Sequence, residues 1–384
     1  MTAVVIGALI VALAAIGLVT GEDDSEQEQA ASGPSIEAIA RRVERVRQLR
    51  FDHLPRVRHV TGAQARAYGL RELDRETKPR EVAAEERLLK LLELLPPRAS
   101  LRELVGKTLS SEVGGFYDPR SGTLSVVGQG GSGLLAEITL AHELTHALED
   151  QRFGLNVTPG QGFRRDRSAA ESALHEGSAT IVMVDYAVQK QAGTANVPAS
   201  VRAQALKALD QAAVPASSGL PRYVREGLVF PYAAGARLIN RLQGEGGWAA
   251  VDRAFGEDAP VSTEQFMHPA KYEGRERPVR IRVGAPPGTR LVEQGDFGEF
   301  DTEQLLRAAN GRQRSAAAAA GWGGGGFALW RRGARYGVTL RWTWDSARDA
   351  REFAEALRRT ARRLGGASVN SSDGGVELQL APRT

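Results

Sequence analysis

The sequence predicts an α+β fold that is mostly helical, and three observations predict it. Helical hydrophobic patterns follow one another from residue 35 to residue 256. Short β-prone runs bounded by turn residues occur near 56–60, at 115–127 and after residue 326. The chain has 384 residues, of which 42% are hydrophobic and 25% charged, a balance typical of globular proteins with a length suited to about two domains.

The elements before residue 260 are predicted from local start and stop signals. Ser35 is a favourable N-cap for the first helix, and Pro96-Pro97 ends the third. A D-P-R-S-G turn joins the two strands of a hairpin at 115–127. The other predicted elements are a strand at 56–60 and helices at 35–49, 62–76, 80–95, 134–153, 166–191 with a continuation to 213, 224–243 and 247–256.

A smaller unit is predicted at the C-terminal end. Residues 314–326 (RSAAAAAGWGGGG) have low complexity and indicate a boundary. We therefore expect a main domain at 35–312 and a small C-terminal α+β module at 320–384. The elements predicted in this module are strands at 327–332, 336–344 and 375–381 and a helix at 346–364.

The first residues are typical of a targeting segment. Residues 3–19 are apolar and uncharged, a length between that of a signal peptide and that of a membrane span. The polar residues at 21–34 predict a linker. We expect residues 1–20 to be a signal or membrane anchor, and the body of the protein to be extracytoplasmic, either membrane-anchored or secreted. A buried core helix is the alternative for 3–19.

Composition narrows the possible chemistry. The chain has no cysteine, which excludes disulfides, thiol nucleophiles and Cys-based zinc knuckles. It has six histidines, so a metal site must combine these with carboxylates. The net charge is +4, but acidic residues are interspersed with arginine almost everywhere, and we expect no nucleic-acid partner.

One segment carries a metal-binding spacing. Residues 137–151 (EITLAHELTHALEDQ) contain His142-Glu143-x-x-His146. Positions four apart share one face of a helix, so both imidazoles can bind one ion, with Glu143 beside a metal-bound water as general base. The segment is apolar on several sides, and burying these groups is costly unless a metal satisfies them. The pattern predicts a Zn²⁺ site; two core histidines bonded to carbonyls are the alternative.

A catalytic zinc needs a third protein ligand and an open position. The next helix offers Glu176, with small residues at 173, 177 and 179 that would let this helix pack tightly on the first. Glu171 and His175 are the alternatives. Glu171 lies about 140° around the helix from Glu176, so the two cannot easily face one metal. We favour Glu176 as the third ligand.

These motifs resemble those of the gluzincin metallopeptidases. HELTHA followed by a helix with E-G-x-A is similar to thermolysin-type proteases and zinc aminopeptidases. A closer resemblance, through 173–179, Phe230-Pro-Tyr232 and 262–269, is to a poorly characterised group of secreted or membrane-anchored bacterial H-E-x-x-H proteins. The resemblance implies a zincin-like core, in which a small antiparallel sheet packs on the H-E-x-x-H helix and the Glu-ligand helix, and zinc-dependent hydrolysis of peptide bonds.

Two positions depart from those families. Thermolysin-type enzymes carry an acid four residues after the Glu ligand, where this chain has Thr180. The aspartate of the E-G-D-A motif is replaced by Ser178. The side chains that orient the ligands must therefore differ from those of the resembling enzymes.

The oxyanion of peptide hydrolysis needs a donor besides the metal. His268 and Tyr232 are equal candidates for it, and Tyr223 and Tyr272 rank behind them. By the same resemblance, the hairpin at 115–127 offers an edge strand for an extended peptide. We expect an extracytoplasmic zinc peptidase with a peptide or protein substrate; the alternative is a non-catalytic envelope binding or scaffold protein on the same fold.

Overall fold

The computed structural model describes residues 34–111, 114–128, 133–155, 165–216, 219–372 and 375–383. The predicted targeting segment at 1–20 and the linker up to residue 33 lie outside the described residues. None of the described helices is both long and apolar enough to cross a membrane.

The fold is α+β with helices in the majority, as predicted. The described helices are α1 (Ile36–Arg47), α2 (Gly62–Glu76), α3 (Pro79–Leu91), α4 (Leu101–Ser111), α5 (Leu134–Phe153), α6 (Arg165–Ala192), α7 (Ala199–Ala216), α8 (Arg222–Ala254), α9 (Thr263–Met267), α10 (Pro269–Glu273), α11 (Glu299–Asn310), α12 (Arg312–Ala319) and α13 (Ala347–Leu364). The described strands are β1 (Arg56–Val60), β2 (Gly115–Asp118), β3 (Thr123–Val127), β4 (Arg290–Asp296), β5 (Trp322–Arg332), β6 (Arg335–Trp344), β7 (Ala367–Ser372) and β8 (Gly375–Arg383).

Glycines mark the ends of helices α5 and α6. Helix α5 has the predicted bounds, because Gly133 precedes it at φ 91° and Gly154 ends it at φ 74°. The predicted continuation of α6 to residue 213 is wrong: α6 ends before Gly193, which has φ 64°, and α7 is a separate helix. The helices predicted at 224–243 and 247–256 form the single element α8, which is interrupted at Gly246-Gly247.

The first sheet has the order β1-β3-β2. Strands β2 and β3 form the predicted antiparallel hairpin, but β1 runs parallel to β3, so the expected antiparallel sheet is a mixed one. A parallel pair requires a long crossover, and helices α2 to α4 supply it between β1 and β2. Strand β2 is left at the edge of the sheet, against α5.

The second sheet is antiparallel in the order β4-β5-β6-β8-β7. Its first strand, β4, precedes the module boundary expected between 312 and 320. Residues 314–326, which were expected to form that boundary, form most of α12 and the start of β5. The glycines of 323–326 serve close packing. A Cβ atom at Gly324 would lie 2.3 Å from the Val279 carbonyl oxygen, and one at Gly326 would lie 2.6 Å from that of Ile281.

Helices α6 and α8 cross with their backbones in contact. A Cβ atom at Gly177 would lie 2.3 Å from the carbonyl carbon of Gly235, and one at Gly235 would lie 1.9 Å from the carbonyl oxygen of Ala173. The small residues at 173 and 177 therefore face α8, and the expectation that they bring α6 against α5 is wrong. A crossing this close excludes side chains, which is why glycine stands on both helices.

Candidate metal centre

Helix α5 carries the three residues of the H-E-x-x-H spacing into the core. Its buried apolar residues surround the motif on all sides, so the helix has no solvent-exposed face at this level. His142 is 0%, Glu143 1% and His146 1% exposed. The apolar neighbours that bury them are Ile138, Ala141, Leu144, Ala147 and Leu148.

The ligand atoms of His142, His146 and Glu176 converge. The two Nε2 atoms are 3.1 Å apart, and one carboxylate oxygen of Glu176 lies 3.1 Å from Nε2 of His142 and 3.5 Å from Nε2 of His146. All three ligand atoms lie within 4.8 Å of one another. The structure thus brings Glu176 to the two histidines, as the sequence predicted.

The two alternative ligands lie elsewhere. Glu171 forms an ion pair with Arg167 at 2.9 Å on a partly exposed face of α6. His175 is buried, and its ring contacts Phe255 edge-on with the centroids 5.2 Å apart. Burial, and then the charge of His146, lower the pKa of His175 to about 3, so this imidazole is neutral at physiological pH.

The electrostatics of the cluster favour a positive charge between its members. Burial would raise the pKa of Glu176, but His146 and His142 hold it well below its usual value. Burial would likewise lower the pKa of His146, yet the Glu176 carboxylate raises it to about 9. Within the described residues the partners of Glu176 are these two histidines and no lysine or arginine.

Glu143 lies beside the histidines under the edge strand β2. The backbone N–H of Tyr117 donates a hydrogen bond to its carboxylate, and its Oε1 atom has no hydrogen-bond partner among the described residues. A Cβ atom at Gly115 would lie 3.3 Å from Cγ of Glu143, so the strand passes close over this side chain. Burial raises the pKa of Glu143, and the nearby His142 and His146 partly oppose that shift.

A buried ionic network that the sequence did not predict ties α5 to α6 and α1. Ser178, which stands at the E-G-D-A aspartate position, donates to Oε1 of Glu149 at 2.5 Å. Arg47 donates to the same oxygen at 2.6 Å, and its guanidinium lies 4.5 Å from the ring centroid of Trp248. The one sequence signal for this network is the position of Glu149 within an apolar helix, because a buried glutamate normally has a cationic partner. Ser178, at the position of that aspartate, thus joins α6 to Glu149 of α5.

The candidates for the oxyanion donor lie against different partners in the structure. The ring of Tyr232 stacks on that of His142, with centroids 6.0 Å apart and an interplanar angle of 23°. Nε2 of His268 lies 2.8 Å from Oε1 of the buried Glu299, a partner that the sequence did not predict. Tyr223 donates to Asp301 at 2.6 Å in a buried network.

One candidate, Tyr272, remains, and the F-P-Y segment that carries Tyr232 makes a further aromatic contact. Phe230 contacts Phe300 at 4.8 Å between centroids, which links the F-P-Y segment to the start of α11, where Glu299 lies. Tyr272 is half-buried against the core that contains α5 and α6. Tyr232 is therefore the candidate in direct contact with a ligand histidine.

Comparison with known proteins adds one match. A family model described as a domain of unknown function (DUF8575) matches residues 289–382. These residues contain the whole five-stranded sheet apart from its last residue, and helices α11 to α13. No curated protein and no solved structure matches the chain.

Proposed function

We propose that this chain is a zinc-dependent metallopeptidase with a gluzincin-type site on a zincin-like core, in which His142, His146 and Glu176 hold the metal. The observation that carries the proposal is the convergence of two imidazole nitrogens and one carboxylate oxygen at a buried position. This donor set is typical of catalytic zinc, which keeps a further coordination position open.

The surroundings of the three side chains fit a divalent cation. Glu176 is 2% exposed, and within the described residues it has no cationic partner except the imidazoles. A buried carboxylate without a cation is costly. The metal would provide the positive charge that the cluster otherwise obtains by protonating a histidine.

This chain's own residues would then act on the substrate. A bound zinc would supply a water of lowered pKa and a charge opposite the scissile carbonyl oxygen. Glu143 is placed to accept a proton from the attacking water and to pass it to the leaving amine. Tyr232 is the better-placed donor for the oxyanion, because its ring contacts His142, whereas His268 is engaged by Glu299.

The edge strand β2 supports a peptide or protein substrate. An extended peptide that adds to this edge would present its backbone next to Glu143, since Tyr117 in the strand contacts that carboxylate. The apolar run at 3–19, typical of a targeting segment, supports a location on the outer side of a membrane, with the chain anchored or secreted.

A specific observation also favours the non-catalytic alternative. The four residues of the centre are between 0% and 2% exposed, so a substrate cannot reach them unless the structure opens. A permanently closed centre would hold a structural metal in an envelope binding or scaffold protein.

One experiment tests both possibilities. The purified chain is analysed for metal and incubated with a peptide library, beside Glu143→Gln. We expect one zinc in both proteins and a kcat lowered roughly 10²- to 10⁴-fold in the variant. Equal cleavage by both would refute the role of Glu143. One zinc per chain without any cleavage by the wild type would support the scaffold alternative.

A further inference from the structure

A cavity of about 900 Å³ lies where the start of α6 meets the C-terminal sheet. Its lining combines Asp166 and Arg167 from α6 with residues of β4, β5 and the extended segment 277–283. Asp166 and Glu176 are ten residues apart on α6, which separates the cavity from the metal centre by about 15 Å along the helix. A volume of this size is typical of a site for a small organic ligand.

The segment 277–283 (RPVRIRV) supplies positive charge to the cavity. It lies along β5, where the backbone N–H of Val279 donates to the carbonyl of Gly323 at 2.7 Å. Arg277, Arg280 and Arg282 all line the cavity and are exposed. Within the described chain these three guanidinium groups have no ion pair or side-chain hydrogen bond. Three unpaired arginines at one cavity attract anions.

A buried donor also lines the cavity. Trp322 is 1% exposed, and its indole Nε1 has no hydrogen-bond partner among the described residues. A buried N–H group without a partner lowers stability, so such groups are uncommon unless a ligand or water accepts from them.

The acidic residues of the lining are engaged by the protein itself. One carboxylate oxygen of Asp166 accepts the backbone N–H of Thr263 at 3.1 Å and its hydroxyl, and Asp296 accepts the backbone N–H of Asp166 at 3.3 Å. Burial raises the pKa of both acids. Arg167 is already paired with Glu171. The charged groups of the lining that are free to contact a ligand are therefore the three arginines of 277–283.

We infer that this cavity binds an anionic small molecule through its carboxylate or phosphate groups, with Arg277, Arg280 and Arg282 as the charged contacts and Trp322 as a neutral donor. Arginine matches the planar or tetrahedral oxygens of these groups with paired N–H donors. The site joins the region matched by the domain of unknown function to the helix that carries Glu176.

Calorimetric titration of the full chain with succinate and, separately, with inorganic phosphate tests this inference. The double variant Arg280→Ala/Arg282→Ala is compared with Arg335→Ala/Arg351→Ala, which removes two exposed arginines outside the cavity lining. We expect saturable binding that weakens at least tenfold in the first variant and is unchanged in the second. The probe that binds more tightly identifies the preferred anionic group.

Trp322→Phe keeps an aromatic ring and removes the N–H donor, and we expect it to weaken binding roughly tenfold. Equal affinity of both double variants would overturn the inference, because binding would then occur elsewhere, for example at the zinc. Absence of saturable binding of either anion to the wild type would overturn it as well. Each result is independent of peptidase activity.

Discussion

Two groups of His, Asp and Glu side chains in the described chain are close enough to hold a cation. The first is His142, His146 and Glu176, and the second is Glu264, Glu276 and Asp345. Only the second already has a cation beside it, the ammonium of Lys271. In the second group, the ammonium of Lys271 lies 3.3 Å from Glu264 and also contacts Glu276 and Asp345. In the first group, Glu176 faces only the imidazoles of His142 and His146. A cluster of acids is thus no sign of a metal where a lysine reaches it.

Burial separates the two groups further. The members of the first are almost fully buried, whereas Lys271 and its partners Glu276 and Asp345 are partly exposed to water. Glu264 of the second group is buried, but Lys271 balances its charge, and solvent screens the partly exposed Glu276 and Asp345. An imbalance in the first group is expensive, and this is why its geometry points to a bound cation.

Loss of a proposed ligand is expected to have the largest effect. Glu176→Gln keeps the size of the side chain and removes its charge, so we expect stoichiometric zinc to be lost. The affinity should fall by more than the roughly 100-fold that loss of an outer partner costs. Glu171→Gln, on the same helix but paired with Arg167, is the control and should keep its zinc by metal analysis. Zinc retained in Glu176→Gln would show that another residue completes the site.

The oxyanion donor can be assigned by comparing Tyr232, which contacts His142, with His268, which contacts Glu299. Tyr232→Phe removes only a hydroxyl from a ring that stacks on His142, and we expect kcat to fall roughly 10²- to 10³-fold with unchanged zinc. His268→Ala removes the partner of Glu299 and should change kcat less. Steady-state kinetics on one cleaved peptide give both values. The reverse order of effects would assign the donor to His268.

The helix crossing that positions Glu176 can be broken without touching the centre. Gly235→Ala would place a Cβ atom 1.9 Å from the carbonyl oxygen of Ala173, and we expect about 1–3 kcal/mol of destabilisation in urea unfolding. Gly227→Ala is the control on the same helix, since its Cβ would meet nothing within 4 Å. The control should be neutral or more stable by up to about 1 kcal/mol. Equal stability of the two variants would contradict the close crossing.

Removal of the lysine from the second group is expected to have the smallest effect. Lys271→Met leaves Glu264, Glu276 and Asp345 without their cation. We expect a loss of about 1 kcal/mol, because Glu276 and Asp345 are partly exposed and burial raises the pKa of Glu264 to about 8, so that this carboxyl can take up a proton. Lys207→Met, an exposed lysine on α7, should change the free energy of unfolding by less than about 0.5 kcal/mol. Zinc content should stay the same in both, and a loss of zinc in Lys271→Met would show that the two groups are coupled.

The sequence by itself determined the parts of the site that depend on local geometry. The four-residue spacing of His142 and His146 fixes them on one face of any helix, and the helix itself begins and ends at glycines that a reader can locate. The E-G-x-A motif favours Glu176 as the third ligand, and the angle of about 140° between Glu171 and Glu176 around the helix argues against Glu171.

The tertiary structure decided what depends on distant pairs. Arg47 and Glu149 are 102 residues apart in the sequence, and His268 and Glu299 are 31 apart. No local sequence pattern, such as helical spacing, therefore predicts either pair. The parallel pairing of β1 with β3 depends on the crossover that follows β1. The glycines at 323–326, which indicate a domain boundary in the sequence, form part of a strand because another segment lies against its backbone. Such contacts are set by how elements pack, and a sequence pattern records only what each element does alone.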